Sequence, residues 1–334
     1  MRYLSILLLS VLGAAAQQRP ADTLRIYAID TEGGKATLYV APNGESMLID
    51  AGYGNDARDS KRIAAAASAA GVKQIDHLVI THYHADHAGG VAQLIAAIPV
   101  RAVYDHGDTV EPGSDEALYS RYRTAIGKTP RTILKPGDRI RMKQLDVMIV
   151  SSGGVGIKKS LGGAGQPNPL CAAYKPLTQD RGENAKSVAM MITFGKLRIS
   201  DLGDLFWNQE ADLACPNNLL GHVDLYMTTH HGTKTSGAPQ IVQALHPKVA
   251  IMNNGAKKGG QPEAWETIHT SPGLIEMWQL HFSNEGGAEH NVAEQFIANP
   301  KEDCTGERID VIATRDGTFT VTNTRNGVSK TYRN

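Results

Sequence analysis

Cysteine is scarce in this chain: only Cys171, Cys215 and Cys304 occur among 334 residues. Three thiols this far apart form neither a Cys-rich zinc site nor a disulfide scaffold, although an oxidising compartment permits one bridge with one thiol left over. Spacing does not decide which two would pair. An excess of one charge is missing too, since 34 basic residues face 34 acidic ones. Without a broad positive field the chain has little to draw in long polyanions, which disfavours nucleic acid as a partner. After residue 16 no apolar run reaches the ~20 residues of a spanning helix, so no membrane span is expected in a mature chain. Several signatures are absent as well. There is no Gly-x-Ser-x-Gly nucleophile elbow, no Gly-x-Gly-x-x-Gly or P-loop lysine after an early strand, and no histidine pattern beside Cys171 or Cys215. No repeat of fixed period is found.

What is present begins with Met1 and Arg2, an apolar run over residues 3–12, and the small residues Gly13, Ala14, Ala15 and Ala16. These are the ordered parts of a secretory signal peptide, with cleavage expected near Gln17 and a secreted or periplasmic product. Residues 17–334 show no linker and read as a single domain. Short strand-like runs at 23–30, 35–41 and 45–50, parted by Glu32-Gly33-Gly34 and Pro42-Asn43-Gly44, form a meander. Helix 56–70, strand 75–80, helix 88–98, strand 101–104 and helix 114–126 then alternate. Strands return over 131–152, and 153–184 is a stretch rich in glycine and polar residues without period, read as a long loop over a functional face or a partly ordered insertion. Strands at 187–194 and 197–200, further β–α alternation over 225–281, and strand pieces at 310–314, 318–324 and 328–332 complete the chain. That order fits an α/β protein in which two sheets pack together with helices outside.

The strongest chemical signal is Thr81-His82-Tyr83-His84-Ala85-Asp86-His87, where an apolar strand ends and a helix begins. Three imidazoles and a carboxylate within six residues suit zinc or iron. In so tight a turn they diverge and cannot all face one ion. Two adjacent ions resolve this, with His82 and His84 on one, Asp86 and His87 on the other.

This segment resembles the HxHxDH motif of the metallo-β-lactamase superfamily, and the resemblance extends over nearly the whole mature chain. It implies the αββα four-layer sandwich. Asp50, in Leu48-Ile49-Asp50-Ala51-Gly52, matches the acid that closes an early strand and supports the site by hydrogen bonds. Asp204, in Ser200-Asp201-Leu202-Gly203-Asp204, matches the bridging carboxylate; Asp201 is its rival, and the preceding glycine favours Asp204. His230-His231-Gly232 matches the late histidine of the second metal, one of the pair being ligand and the other its orienting partner. Within the superfamily, Asn184-Ala185-Lys186-Ser187, Leu202-Gly203-Asp204 and the run from His230 to Ser236 are similar to the β-lactamase-like domain of competence DNA-uptake channel proteins and to phosphorylcholine esterases. That likeness places Asn184 and Ser187 around the ligands. The chain departs from it in lacking the channel's membrane part. It departs again in the third histidine of the first metal, for which His106 is the single candidate between His87 and Asp204; otherwise Asn184 or water completes that shell.

The expected cofactors are two divalent ions, zinc with manganese or iron as alternatives. The expected reaction is hydrolysis by a metal-bridging hydroxide, with Asp86 and Asp204 holding it and passing a proton to the leaving group. A small phosphoester or phosphodiester is the expected substrate; Lys186, Lys234 and Arg181 read first as solvated loop cations and second as phosphate contacts at the pocket mouth. Lactones, β-lactams and other esters are alternatives on the same fold, as are an inactive metal-containing binding protein and a diiron reductase, whose flavin partner domain is missing here. Of the remaining histidines, His77 reads as a packing residue and His246 as a helix end. His222, His269 and His290 have no ligand partner at useful spacing. Nor has His281, whose place at a strand end is its one claim to the active site.

Overall fold

The computed structural model of the protein describes residues 22–333, so the segment read as a signal peptide lies outside the described residues. Two nine-stranded sheets dominate. In the first, Leu24–Ala28, Thr37–Val40 and Ser46–Ile49 form the expected antiparallel meander, after which His77–Val79, Val103–Asp105 and Arg131–Ile133 join in parallel. In the second, Leu197–Asp201, Leu225–Met227, Val249–Met252, Glu276–His281 and Ile297–Asn299 run parallel. The antiparallel strands Ala189–Phe194, Leu145–Ser152 and Arg139–Met142 complete its other half.

The sheets cover one another's inner face and helices cover most of each outer face, while the outer face of the tail strands stays exposed; the period of two in the strands separates the cores. Leu24, Ile26 and Ala28 face the space between the sheets, where Trp278, Phe194 and Val321 also pack, while Tyr27 and Ile29 face the helices. Arg58–Ala70, Val91–Ala97 and Ser114–Ile126 cover the first sheet; Trp207–Ala214, Pro239–Leu245 and Pro262–His269 cover the second. This is the αββα four-layer sandwich.

Local chemistry accounts for the departures in detail. The helix expected over 56–70 starts late, because Asp56 and Ala57 take left-handed backbone with φ of 44° and 58° and split off the short turn Asn55–Ala57. The helix expected over 88–98 is two, Ala85–Ala88 and Val91–Ala97, parted by Gly89-Gly90. A Cβ at Gly90 would lie 2.1 Å from the Ala51 carbonyl, so glycine lets this joint press against the strand end. The tail strands do more than hairpin locally: Ile309–Ala313 pairs with Leu24–Ala28, setting Ala313 opposite Leu24. The 153–184 stretch carries the short strand Val155–Gly156 and the turn Pro169–Ala173, and a disulfide ties Cys171 to Cys215 beyond helix Trp207–Ala214. Cys304 is the free thiol.

Parallel strands send their carboxyl ends to one edge, where open α/β sheets collect their ligands. Asp50, His82, His106, Asp204, His230 and Asn253 all follow such ends.

Candidate metal centre

The HxHxDH segment turns from strand His77–Val79 into helix Ala85–Ala88, and its side chains are held from behind before they face one another. Asp50 is wholly buried and takes φ of 61°. Its Oδ1 accepts the Thr81 N–H at 2.7 Å, and its Oδ2 accepts the Thr81 hydroxyl at 2.8 Å and faces His87 Nδ1 at 2.8 Å. With Nδ1–H donated to Asp50, the lone pair of His87 sits on Nε2 and points inward. His231 Nδ1 lies 3.1 Å from both the backbone carbonyl and the side-chain amide of Asn253, and donation to the carbonyl leaves its lone pair on the inward Nε2.

The inward atoms converge. His87 Nε2 is 3.2 Å from His231 Nε2 and 3.1 Å from both Asp86 Oδ2 and Asp204 Oδ2. His231 Nε2 is 3.1 Å from Asp86 Oδ2 and 3.2 Å from Asp204 Oδ2. Asp86, His87, Asp204 and His231 thus offer four ligand atoms within 4.8 Å of one another, all from buried residues. Beside them, His82 Nε2 lies 3.0 Å from His84 Nδ1 and 4.0 Å from Asp204 Oδ2, which stands between the two groups. The outer nitrogen of His84 meets Glu111 at 3.2 Å. His82 Nδ1 lies 3.1 Å from the Thr81 hydroxyl and 3.4 Å from that of Ser187, which also accepts the Asp204 N–H at 3.1 Å.

Three backbones here are left-handed without being glycine: Asp50, His230 (φ 50°) and His231 (φ 57°). Each costs on the order of 1–3 kcal/mol, and the surrounding sheet ends hold them there. At Gly203, φ is 59° and a Cβ would lie 3.0 Å from the Ser187 Cβ, so glycine lets Asp204 turn into the site.

The electrostatics fit a cation. Burial would raise the carboxyls of Asp86 and Asp204, yet His87 first, with a hydrogen bond from His231 and other polar groups of the site, holds both well below the usual range. Burial also works against a charge on His87, yet Asp204, Asp86 and Asp50 hold it well above an ordinary imidazole. Without an ion that field draws a proton onto His87 Nε2, and a bound ion would displace it to reach the lone pair there. Asp204 Oδ1 is buried with no hydrogen-bond partner among the described residues, as expected of a carboxylate that needs an ion to satisfy it. Imidazole and carboxylate donors of this number suit zinc, manganese or iron.

The structure sorts the remaining sequence candidates. His231 belongs to the four-atom group; His230 is turned aside, its Nδ1 at 2.9 Å from the Ser236 hydroxyl and its Nε2 at 3.6 Å from Asp204 Oδ2. Burial lowers the His230 pKa to about 4, leaving it neutral. Asp201 points away, onto the ammonium of the fully buried Lys35. His106 is not brought to the cluster: its Nε2 meets Glu183 at 2.9 Å, because Glu183 knots this strand end to the motif by also accepting the N–H groups of Tyr83 and Val110. Asn184, next in the chain, has a buried Oδ1 without partner among the described residues. Lys186 directs its ammonium to the Gly153 carbonyl at 3.5 Å. His77 is buried between Glu45 and Tyr104.

Sequence reading missed Lys35, Lys258, Glu111, Glu183 and Asn253. Lys258 forms an ion pair with Asp86 Oδ2 from the glycine-rich loop at 253–260, with its side chain 35% exposed. Only the lysine pair within glycines at 255–260 hinted at it; the others carry no spacing signal.

Residues 30–162 match the metallo-beta-lactamase superfamily. Recombination protein 2 of Haemophilus influenzae is 25% identical over 241 residues, covering 72% of this chain and 25% of that protein. ComE operon protein 3 of Bacillus subtilis is 25% identical over 191 residues, covering 56% and 21%. A hydroxyacylglutathione hydrolase of Alkalilimnicola ehrlichii is 41% identical over 63 residues, 19% of this chain and 24% of that enzyme. The chain thus spans about a quarter of the length of these relatives.

Proposed function

Because the chain carries a metallo-β-lactamase superfamily domain, we propose that it is a metal-dependent hydrolase of small anionic esters, phosphoesters or phosphodiesters, working outside the cytoplasm. The observation that carries this reading is the convergence of Asp86, His87, Asp204 and His231 beside the His82–His84 pair. In this reading His82 and His84 would hold one ion, Asp86, His87 and His231 would hold the other, and Asp204 would serve as a ligand between them. When bound, such ions supply a nucleophile at neutral pH and Lewis acidity toward the scissile group.

The chain's own residues do the rest. Asp50 and Asn253 keep the ring nitrogens of His87 and His231 in the ligating tautomer. Asp86 and Asp204 flank the place of the attacking water, where a carboxylate oxygen left free by the ions would take its proton and return it to the leaving group. His230 stays neutral, bonded through Nδ1 to the Ser236 hydroxyl, with its Nε2 3.6 Å from Asp204 Oδ2. Lys258 reaches both a site carboxylate and solvent, a position suited to a phosphoryl oxygen. The disulfide and the character of residues 1–16 both support export. The even charge balance supports a small substrate over DNA.

A thioester reading has the similarity to hydroxyacylglutathione hydrolase behind it. A panel of bis-p-nitrophenyl phosphate, a phosphorylcholine ester, a lactone, nitrocefin and an acyl thioester, run with zinc and with manganese, separates the two. Phosphodiester turnover that Asp204→Ala abolishes supports the proposal. Turnover of the thioester alone replaces the substrate class, and a metal-loaded protein inert on every compound is a binding protein.

A further inference from the structure

A second set of ligand-type atoms lies outside the centre just described and shares no residue with it. Asp30 follows strand Leu24–Ala28, His281 ends strand Glu276–His281, and Cys304 lies on the loop between Ile297–Asn299 and Ile309–Ala313. A carboxylate oxygen of Asp30, a ring nitrogen of His281 and Sγ of Cys304 fall within 4.8 Å of one another. His281 Nε2 is 2.7 Å from Asp30 Oδ1, while Cys304 Sγ is 3.4 Å from Asp30 Oδ2 and 3.9 Å from Glu32 Oε1. Asp30 and His281 are buried; Cys304 and Glu32 are half-buried and open the cluster to solvent.

We propose that Asp30, His281 and Cys304, with Glu32 as a fourth donor, form a separate binding site for a zinc-like divalent ion. Thiolate, imidazole and carboxylate are the donors zinc selects, and four of them close a tetrahedron. Bond lengths of about 2.0–2.3 Å put neighbouring donors of a tetrahedral ion roughly 3.4–3.7 Å apart. The distances at hand straddle that value, so side-chain shifts of about an ångström suffice.

Arg62 lies against the cluster, its Nη1 2.9 Å from Asp30 Oδ2 and its Nη2 3.1 Å from Glu32 and 3.7 Å from Cys304. Together with Arg58, which also pairs with Glu32, it offsets part of the negative charge of two carboxylates and a thiolate. The loop is fitted to it, since a Cβ at Gly306 would lie 2.2 Å from Arg62 Nε. Ligation requires the thiolate and the neutral imidazole, so the ion displaces protons. The site joins the first centre through two consecutive residues. Asn254 donates to the His281 carbonyl at 2.8 Å, and the Asn253 carbonyl holds His231.

Cobalt(II) titration of the intact, disulfide-bonded protein tests this independently of hydrolysis, because the first centre contains no thiol. The expected result is a near-ultraviolet thiolate-to-cobalt charge-transfer band, retained in His231→Ala and lost in Cys304→Ser. A cobalt-saturated wild type without the band overturns the site. Should Cys304→Ser fail to fold, alkylation of the wild type gives the same reading: zinc should shield Cys304 from iodoacetamide, and a chelator should lift the shielding. A thiol that reacts equally fast with and without zinc overturns the proposal as well.

Discussion

Nδ1 of His87 stands 2.8 Å from Oδ2 of Asp50, and both side chains are wholly out of contact with water. That pairing fixes which imidazole nitrogen is free to bind an ion. Asp50→Asn keeps the size but sets an uncharged amide against the ring. The expected outcome is zinc affinity reduced about 10–100-fold with the fold intact, read by chelator competition alongside circular dichroism. An unchanged affinity contradicts the orienting role.

Lys258 contacts Asp86 and solvent together. Lys258→Met should raise KM for bis-p-nitrophenyl phosphate roughly tenfold, the ~1.4 kcal/mol of a partly solvated charge-assisted bond. KM for a neutral p-nitrophenyl ester should stay the same. Equal effects on both substrates would show that the lysine supports the site and does not recognise the anion.

Glu210 is buried beneath the loop that carries His230, with one carboxyl oxygen accepting the Ala238 N–H at 3.0 Å and the other unpartnered among the described residues. Burial pushes its pKa up to about 8 from an ordinary 4.5. The folded protein therefore keeps a proton that the unfolded chain gives up. The stabilisation is complete below about pH 4.5 and declines as pH rises toward about 8. Glu210→Gln removes this dependence, so its Tm relative to wild type should climb from about pH 5 to about pH 9. A flat difference across that range contradicts the burial argument.

The Cys171–Cys215 bridge closes a span of 44 residues and ties the long loop to the second sheet's helices. Chain entropy for such a loop corresponds to about 4 kcal/mol, and native bridges are commonly worth about 2–4. The double variant Cys171→Ser, Cys215→Ser should lose stability in that range by urea denaturation. A loss below about 0.5 kcal/mol would mean that the loop is held by its other contacts alone.

The four-layer sandwich was legible because strand periodicity and β–α alternation are local signals. The meander over 24–49 and the helix Ser114–Ile126 stand where periodicity puts them. The metal motif was legible for the same reason: His82, His84, Asp86 and His87 lie within one turn of chain. Long-range pairing left no such trace. Nothing near Asp201 announces that Lys35, 166 residues away, will neutralise it, and nothing near His106 announces Glu183. The choice between His230 and His231 depends on backbone angles of two consecutive left-handed residues, which composition does not encode. The cluster of Asp30, His281 and Cys304 was invisible because its members sit at strand ends and a loop of two different sheets and meet only when those sheets pack together.

The most direct measurement is anomalous diffraction at the zinc edge from crystals of the zinc-loaded protein. The account predicts an ion about 2.0–2.2 Å from His87 Nε2, His231 Nε2 and oxygens of Asp86 and Asp204, with a neighbouring ion on His82 and His84. A map in which no ion lies within roughly 2.5 Å of the Asp204 carboxylate contradicts it.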